Sequence, residues 1–68
     1  MTLQQLIYAV KIADTKSMNK AATELFVSQP ALSSTMRDLE EELQIEIFIR
    51  TNKGIVITTE GEEFLSYA

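Results

Sequence analysis

Gln29, Ser33, Ser34 and Arg37 fall at spacings that gather them on one side of a helix, with no acid among them. An amide, two hydroxyls and a guanidinium together offer hydrogen-bond donors, acceptors and one permanent positive charge. Near the positive end of a helix dipole, such a face suits a negatively charged partner rich in hydrogen-bonding groups. The major groove of DNA is one partner of that kind, and a Gln amide can pair there with an adenine edge.

The stretch that must position these groups is Phe26-Val27-Ser28-Gln29-Pro30-Ala31-Leu32-Ser33-Ser34. It reads as a tight turn that opens a helix. Ser28 is a good N-cap, since its hydroxyl can accept a backbone N–H that the first turn leaves free. Pro30 falls inside that turn, where a missing N–H costs nothing. Leu32, Met36, Leu39 and Leu43 then recur at helical spacing as one apolar stripe, opposite the polar face. The helix is expected to run to about Leu43. Its far end, residues 38–42, is acidic, and the plainest role for those acids is a solvated face on which Arg37 pairs with Glu40 or Glu41.

Before that helix, Thr2-Leu3-Gln4-Gln5 fits a capping box. Leu3, Leu6, Val10 and Ala13, with Ile7 alongside, predict a first helix over about 3–14. Ser17 can cap a second helix over about 18–25, with Met18, Ala22 and Leu25 toward the core. Ala21 and Ala22 let another helix come close. Two helices joined by so short a turn make a helix-turn-helix candidate over about 18–37. Ile45 and Phe48 read as core residues beyond it. Two β-prone runs follow, at 47–50 and 55–58, with Thr51-Asn52-Lys53-Gly54 between them as a hairpin turn. They predict a small wing over about 47–58 with Lys53 at its tip. Thr58 or Thr59 is expected to cap a last helix, with Thr59 and Glu62 as a second capping box. That helix reaches Ala68 without a stop signal, so it is expected to be cut short.

A chain of 68 residues, 46% apolar and 24% charged, is sized for one small globular domain. It has no cysteine, which excludes disulfides and thiolate metal sites, and no histidine, the commonest general base. An enzyme would have to rest on carboxylates that lie along helical faces with no sign of a pocket. No apolar run approaches the ~20 residues of a membrane span, and the start lacks a signal peptide's basic and apolar regions, so the expected compartment is cytoplasmic. The net charge of −4 runs against nucleic-acid binding at first sight. Its distribution matters more: residues 1–37 sum to +2, residues 38–49 to −5 and residues 50–68 to −1. The acids are concentrated in the last two segments, which could face away from DNA, although the total still weakens long-range attraction.

Taken in order, these pieces resemble the N-terminal domain of LysR-type transcriptional regulators. The matching residues are Leu3 and Leu6, Ser17-Met18-Asn19-Lys20-Ala21-Ala22, Leu25, Val27-Ser28-Gln29-Pro30-Ala31-Leu32-Ser33, Leu39-Glu40-Glu41-Glu42-Leu43, Phe48 with Arg50, and Gly54 through Ile57-Thr58 to Gly61. The resemblance implies a mainly α fold with a small β-hairpin, the winged helix-turn-helix. It would comprise a DNA-binding domain over 1–58 and the start of a dimerising linker helix over 59–68. It also implies binding to double-stranded promoter or operator DNA as a homodimer, with a higher oligomer in the full-length protein. No cofactor is implied for this fragment, and a small-molecule effector is implied for a C-terminal domain absent from it.

The same resemblance places Gln29, Pro30 and Ser33 on the face entering the major groove, Lys20 and Arg50 beside the phosphate backbone, and Lys53 at a basic wing tip. Ser28, Ser34 and Arg37 complete the expected contact surface. Other readings stand beside these. Ser28 serves first as a cap and Pro30 as a helix-start residue. Ser33 and Ser34 could simply face solvent. Arg37 could pair with Glu40 or Glu41, and Lys20 with Glu24 one helical turn on. Gln44 stands where the family often has Gly, so a left-handed backbone there would carry a steric cost. The competing function, from another class, is a winged-helix module for protein–protein interaction, because fold alone does not decide function.

Overall fold

Every helix of this chain starts on a hydroxyl that takes up a backbone N–H the helix cannot bond itself. The computed structural model describes residues 1–67. The elements run α1 (Leu3–Thr15), α2 (Met18–Leu25), α3 (Gln29–Leu43), β1 (Phe48–Thr51), β2 (Gly54–Ile57) and α4 (Thr59–Ser66). Thr2 and Gln5 form the expected capping box, with bonds of 3.1 and 2.9 Å. Ser17 caps α2 through the Lys20 N–H, and Ser28 caps α3 through the Ala31 N–H.

The last cap differs from one expectation. Thr58, not Thr59, caps α4, by accepting the Gly61 N–H at 2.9 Å. The Thr59–Glu62 capping box does not form. Thr58 is held in place because its hydroxyl also donates to the Glu46 carbonyl, and its N–H donates to the Ile47 carbonyl at 3.0 Å. The residue three past this cap is Gly61, which has no side chain to reach back. Ala68, the final residue of the expected linker helix, lies outside the described residues.

The core is a triangle of α1, α2 and α3 closed at one end by the hairpin. Ala9, Ile12, Ala21, Ala22, Leu32, Met36 and Leu39 fill it, and Ile47 and Ile55 add the wing's contribution. The α3 stripe is as expected, with Leu43 half-buried at its end. The α1 face is not. The structure buries Ala9 and Ile12 and leaves Leu3, Ile7 and Val10 exposed, at 73%, 49% and 39%. At about 100° per residue, the true inner face lies more than a quarter turn from the expected one. The buried side carries the small Ala9, and α2 contributes Ala21 and Ala22 to the same core, so small residues are used where these helices pack.

The strands are antiparallel, with Phe48 opposite Ile57 and Arg50 opposite Ile55. Each is shifted by one residue from its expected run. Ile47 drops out of β1 because its N–H is taken by the Glu40 carboxylate. Asn52 and Lys53 form the tip, and Gly54 turns the chain at φ 128°, where a side chain would be strained and a Cβ would stand 3.0 Å from the Lys16 carbonyl oxygen. Alternation puts Phe48, Arg50, Ile55 and Ile57 on the face toward the helices, and Ile49 and Val56 on the open face.

Candidate nucleic-acid interface

Three residues tie α2 to α3. Phe26 takes a left-handed conformation (φ 61°), Val27 donates its N–H to the Ala22 carbonyl at 3.0 Å, and Ser28 opens the next helix. The turn is tight enough that α3 begins with its first turn at the surface. Pro30 and Ser34 are exposed there, while Gln29 and Ser33 are half-exposed beside them. None of these four is packed inside.

Gln29 and Ser33 are drawn together with Arg50. The Gln29 Nε2 donates to the Ser33 hydroxyl at 2.9 Å, and an Arg50 Nη2–H donates to the same oxygen. Strand alternation explains the second contact. Arg50 occupies the inner face of β1 beyond Phe48, so its side chain reaches over α3 while staying exposed. Sequence reasoning placed Arg50 beside a phosphate backbone and missed this contact, which joins residues 17 positions apart.

Two clefts flank the Arg50 side chain. One, of about 290 Å³, is bordered by Asn19 at the start of α2, Gln29, Arg50, and Thr51 and Asn52 of the wing, and no acid lines it. Asn19, Thr51 and Asn52 were not among the contact residues expected from sequence. Their signal is polarity at a helix start and at a hairpin tip, which many surface residues share. The other cleft, of about 150 Å³, brings Arg37 together with Ser33 and Arg50 and is bounded on its inner side by Glu40.

Lys20, Arg37 and Lys53 are in no ion pair among the described residues. Arg37 makes no ion pair with Glu40 or Glu41 among the described residues. Glu40 is otherwise engaged, accepting the Ile47 and Phe48 N–H groups at 2.6 and 3.1 Å. Lys20 does not pair with Glu24 either, because Glu24 bonds Lys11 of α1 at 3.2 Å. Lys20 and Lys53 stand exposed outside both clefts, in the first turn of α2 and at the wing tip. The acids of α3 lie farther along. Asp38 and Glu41 are exposed, with Glu41 roughly 10 Å along the axis from Ser34 at 1.5 Å per residue.

The arrangement of a capped helix on a short turn, with a cation-tipped hairpin beside it, matches known proteins closely. A family profile described as "Bacterial regulatory helix-turn-helix protein, lysR family" covers residues 3–62. The chain belongs to the LysR family. It is similar to YkuM of Bacillus subtilis, an uncharacterized HTH-type transcriptional regulator, at 43% identity over the whole of this chain and 23% of that protein. Among solved structures it resembles the BenM DNA-binding domain in complex with catB site 1 DNA, at 39% identity and a TM-score of 0.93 over 98% of this chain and 75% of that one. It also resembles an H2O2-bound OxyR of Corynebacterium glutamicum, at 38% identity and a TM-score of 0.94 over 97% of this chain and 21% of that one. The chain thus spans about a quarter of the length of such full-length relatives. It is the LysR-type helix-turn-helix unit, a winged helix in architecture. No helix among the described residues is long and apolar enough to cross a membrane.

Proposed function

We propose that this chain reads duplex DNA as the N-terminal, sequence-specific part of a cytoplasmic transcription regulator. α3 enters the major groove, where Gln29, Ser33 and Ser34 meet base edges and Pro30 makes an apolar contact. Ser28 holds the helix start and shares its hydroxyl with the groove wall. Lys20, Arg37 and Lys53 bind phosphates, and Arg50 sits between the backbone and the base-reading pair. Phosphate contacts set the register and base contacts choose the site. Residues 1–58 act as the reading domain, and residues 59–68 begin a helix through which two copies pair. The pair reads a roughly palindromic site. The whole protein carries a further domain for a small-molecule effector and performs no catalysis.

The observation that carries this reading is the front of α3. Gln29, Pro30, Ser33 and Ser34 form an open, acid-free surface at a capped helix start, with the uncommitted cations Lys20 and Lys53 beside it. Selection from a random duplex library with the purified chain tests it. One enriched motif that repeats with two-fold symmetry is the expected result. Recovery of no preferred sequence would overturn the reading.

A further inference from the structure

We infer that Arg50 is a positioning residue for base readout, acting through Ser33; this rests on the DNA-reading function proposed above. A serine hydroxyl has two lone pairs and one hydrogen. Both lone pairs of Ser33 are engaged, one by the Gln29 Nε2 at 2.9 Å and one by an Arg50 Nη2–H. Only the hydroxyl hydrogen is left to offer. Two helical threonines, Thr23 of α2 and Thr35 of α3, behave differently. Thr23 and Thr35 turn their hydroxyls back onto the carbonyls of Asn19 and Ala31, each at 3.0 Å. Ser33 makes no such back-bond among the described residues, which leaves its hydrogen free for a partner.

The consequence is a defined polarity at the helix front. Ser33 presents a donor, which meets purine N7, guanine O6 or thymine O4 in the major groove. Gln29 has one Nε2 hydrogen committed to Ser33, which leaves its second hydrogen and its Oε1. That pair matches the N7 acceptor and N6 donor of adenine. Arg50 holds Ser33 in its acceptor role toward the protein and thereby holds the Gln29 amide in the adenine-reading orientation. A lone phosphate ligand at position 50 would do neither.

A double-mutant cycle separates the two roles. Wild type, Ser33→Ala, Arg50→Ala and the double variant are titrated by fluorescence anisotropy against the duplex enriched from the library and a scrambled duplex of equal composition. The readout is the ratio of the two affinities. Arg50→Ala is expected to weaken both duplexes and to lower the ratio about tenfold. In the Ser33→Ala background it is expected to weaken both equally and to leave the ratio unchanged. Arg50→Met, which keeps the aliphatic stem, stands in if Arg50→Ala loses helical circular dichroism. A ratio untouched by Arg50→Ala overturns the inference, since Arg50 then binds only phosphate. A ratio lowered as much without Ser33 also overturns it, since Arg50 then reads bases itself. A wild-type ratio of one removes the DNA-reading function and this inference together, and so is distinct from both.

Discussion

The Glu40 carboxylate accepts the backbone N–H of Ile47 at 2.6 Å, and the same oxygen accepts that of Phe48 at 3.1 Å. Through this one side chain, α3 holds the first residues of the wing. Ile47 is fully buried, so its N–H has no water to fall back on. Glu40→Ala should therefore cost about 1–3 kcal/mol of stability. For a domain of this size each kcal/mol is worth roughly 4–8 °C in Tm. Glu40→Gln keeps an acceptor oxygen and should recover most of the loss. Equal melting temperatures for wild type and Glu40→Ala, by circular dichroism, would show that the wing stands without this bracket.

Gln44 ends α3 in the left-handed region, at φ 60° and ψ 33°. An L side chain there carries a steric cost of about 1–2 kcal/mol that glycine avoids. Glycine loses more backbone entropy on folding, and the variant gives up the Gln44 Nε2 bond to the Glu41 carbonyl at 3.2 Å. The balance still favours glycine, so Gln44→Gly should stabilise the fold by about 0.5–1 kcal/mol. The site lies at the far end of α3 from Gln29, and DNA affinity should not change. A lowered midpoint in urea would reverse the sign of this argument.

Gly61 presents the opposite case. It is helical, so alanine should gain roughly 1 kcal/mol from propensity alone. A Cβ at this position, however, would stand 2.5 Å from the Ile47 carbonyl oxygen and 3.0 Å from the Ile47 Cα. Those are backbone atoms that cannot swing aside, and the same carbonyl accepts the Thr58 N–H. Gly61→Ala should thus destabilise by about 1–3 kcal/mol. A Tm at or above wild type would mean that α4 can shift off Ile47 without cost.

These cases show what the sequence makes legible. The starts of α1, α2 and α3 are readable because capping is local: Thr2, Ser17 and Ser28 each act within three residues. The α3 core stripe is readable because only one side of that helix is apolar. α1 carries apolar residues on several sides, so periodicity could not choose between Ala9 with Ile12 and Leu3 with Val10. Packing against the other two helices decides it, with Ala9 and Ile12 fully buried. Glu40 was hidden for a similar reason. It is one acid in a run of several, and only the return of the chain at Ile47 singles it out. At the interface, Gln29 and Ser33 could be placed on one face from helix geometry, and Pro30 joined them only through the family resemblance. The contact from Arg50 to Ser33 depends on which face of β1 turns toward the helices, and that is set by how the hairpin packs on them rather than by any local pattern.

Lys53 and Gln29 should fail in different ways when replaced. With about three phosphates held by each subunit, the log of affinity should fall against the log of salt concentration with a slope of roughly −5 for a dimer. Lys53 is exposed at the wing tip, and only its backbone N–H is engaged, with the Thr51 hydroxyl at 3.2 Å. Lys53→Ala removes one phosphate contact per subunit, so the slope should flatten to roughly −4 while enriched and scrambled duplexes weaken alike. Gln29→Ala removes no charge. Its slope should stay near −5, and the enriched duplex alone should weaken, by about fivefold to a hundredfold. Matching losses on both duplexes for both variants would mean that the front of α3 binds DNA without reading it.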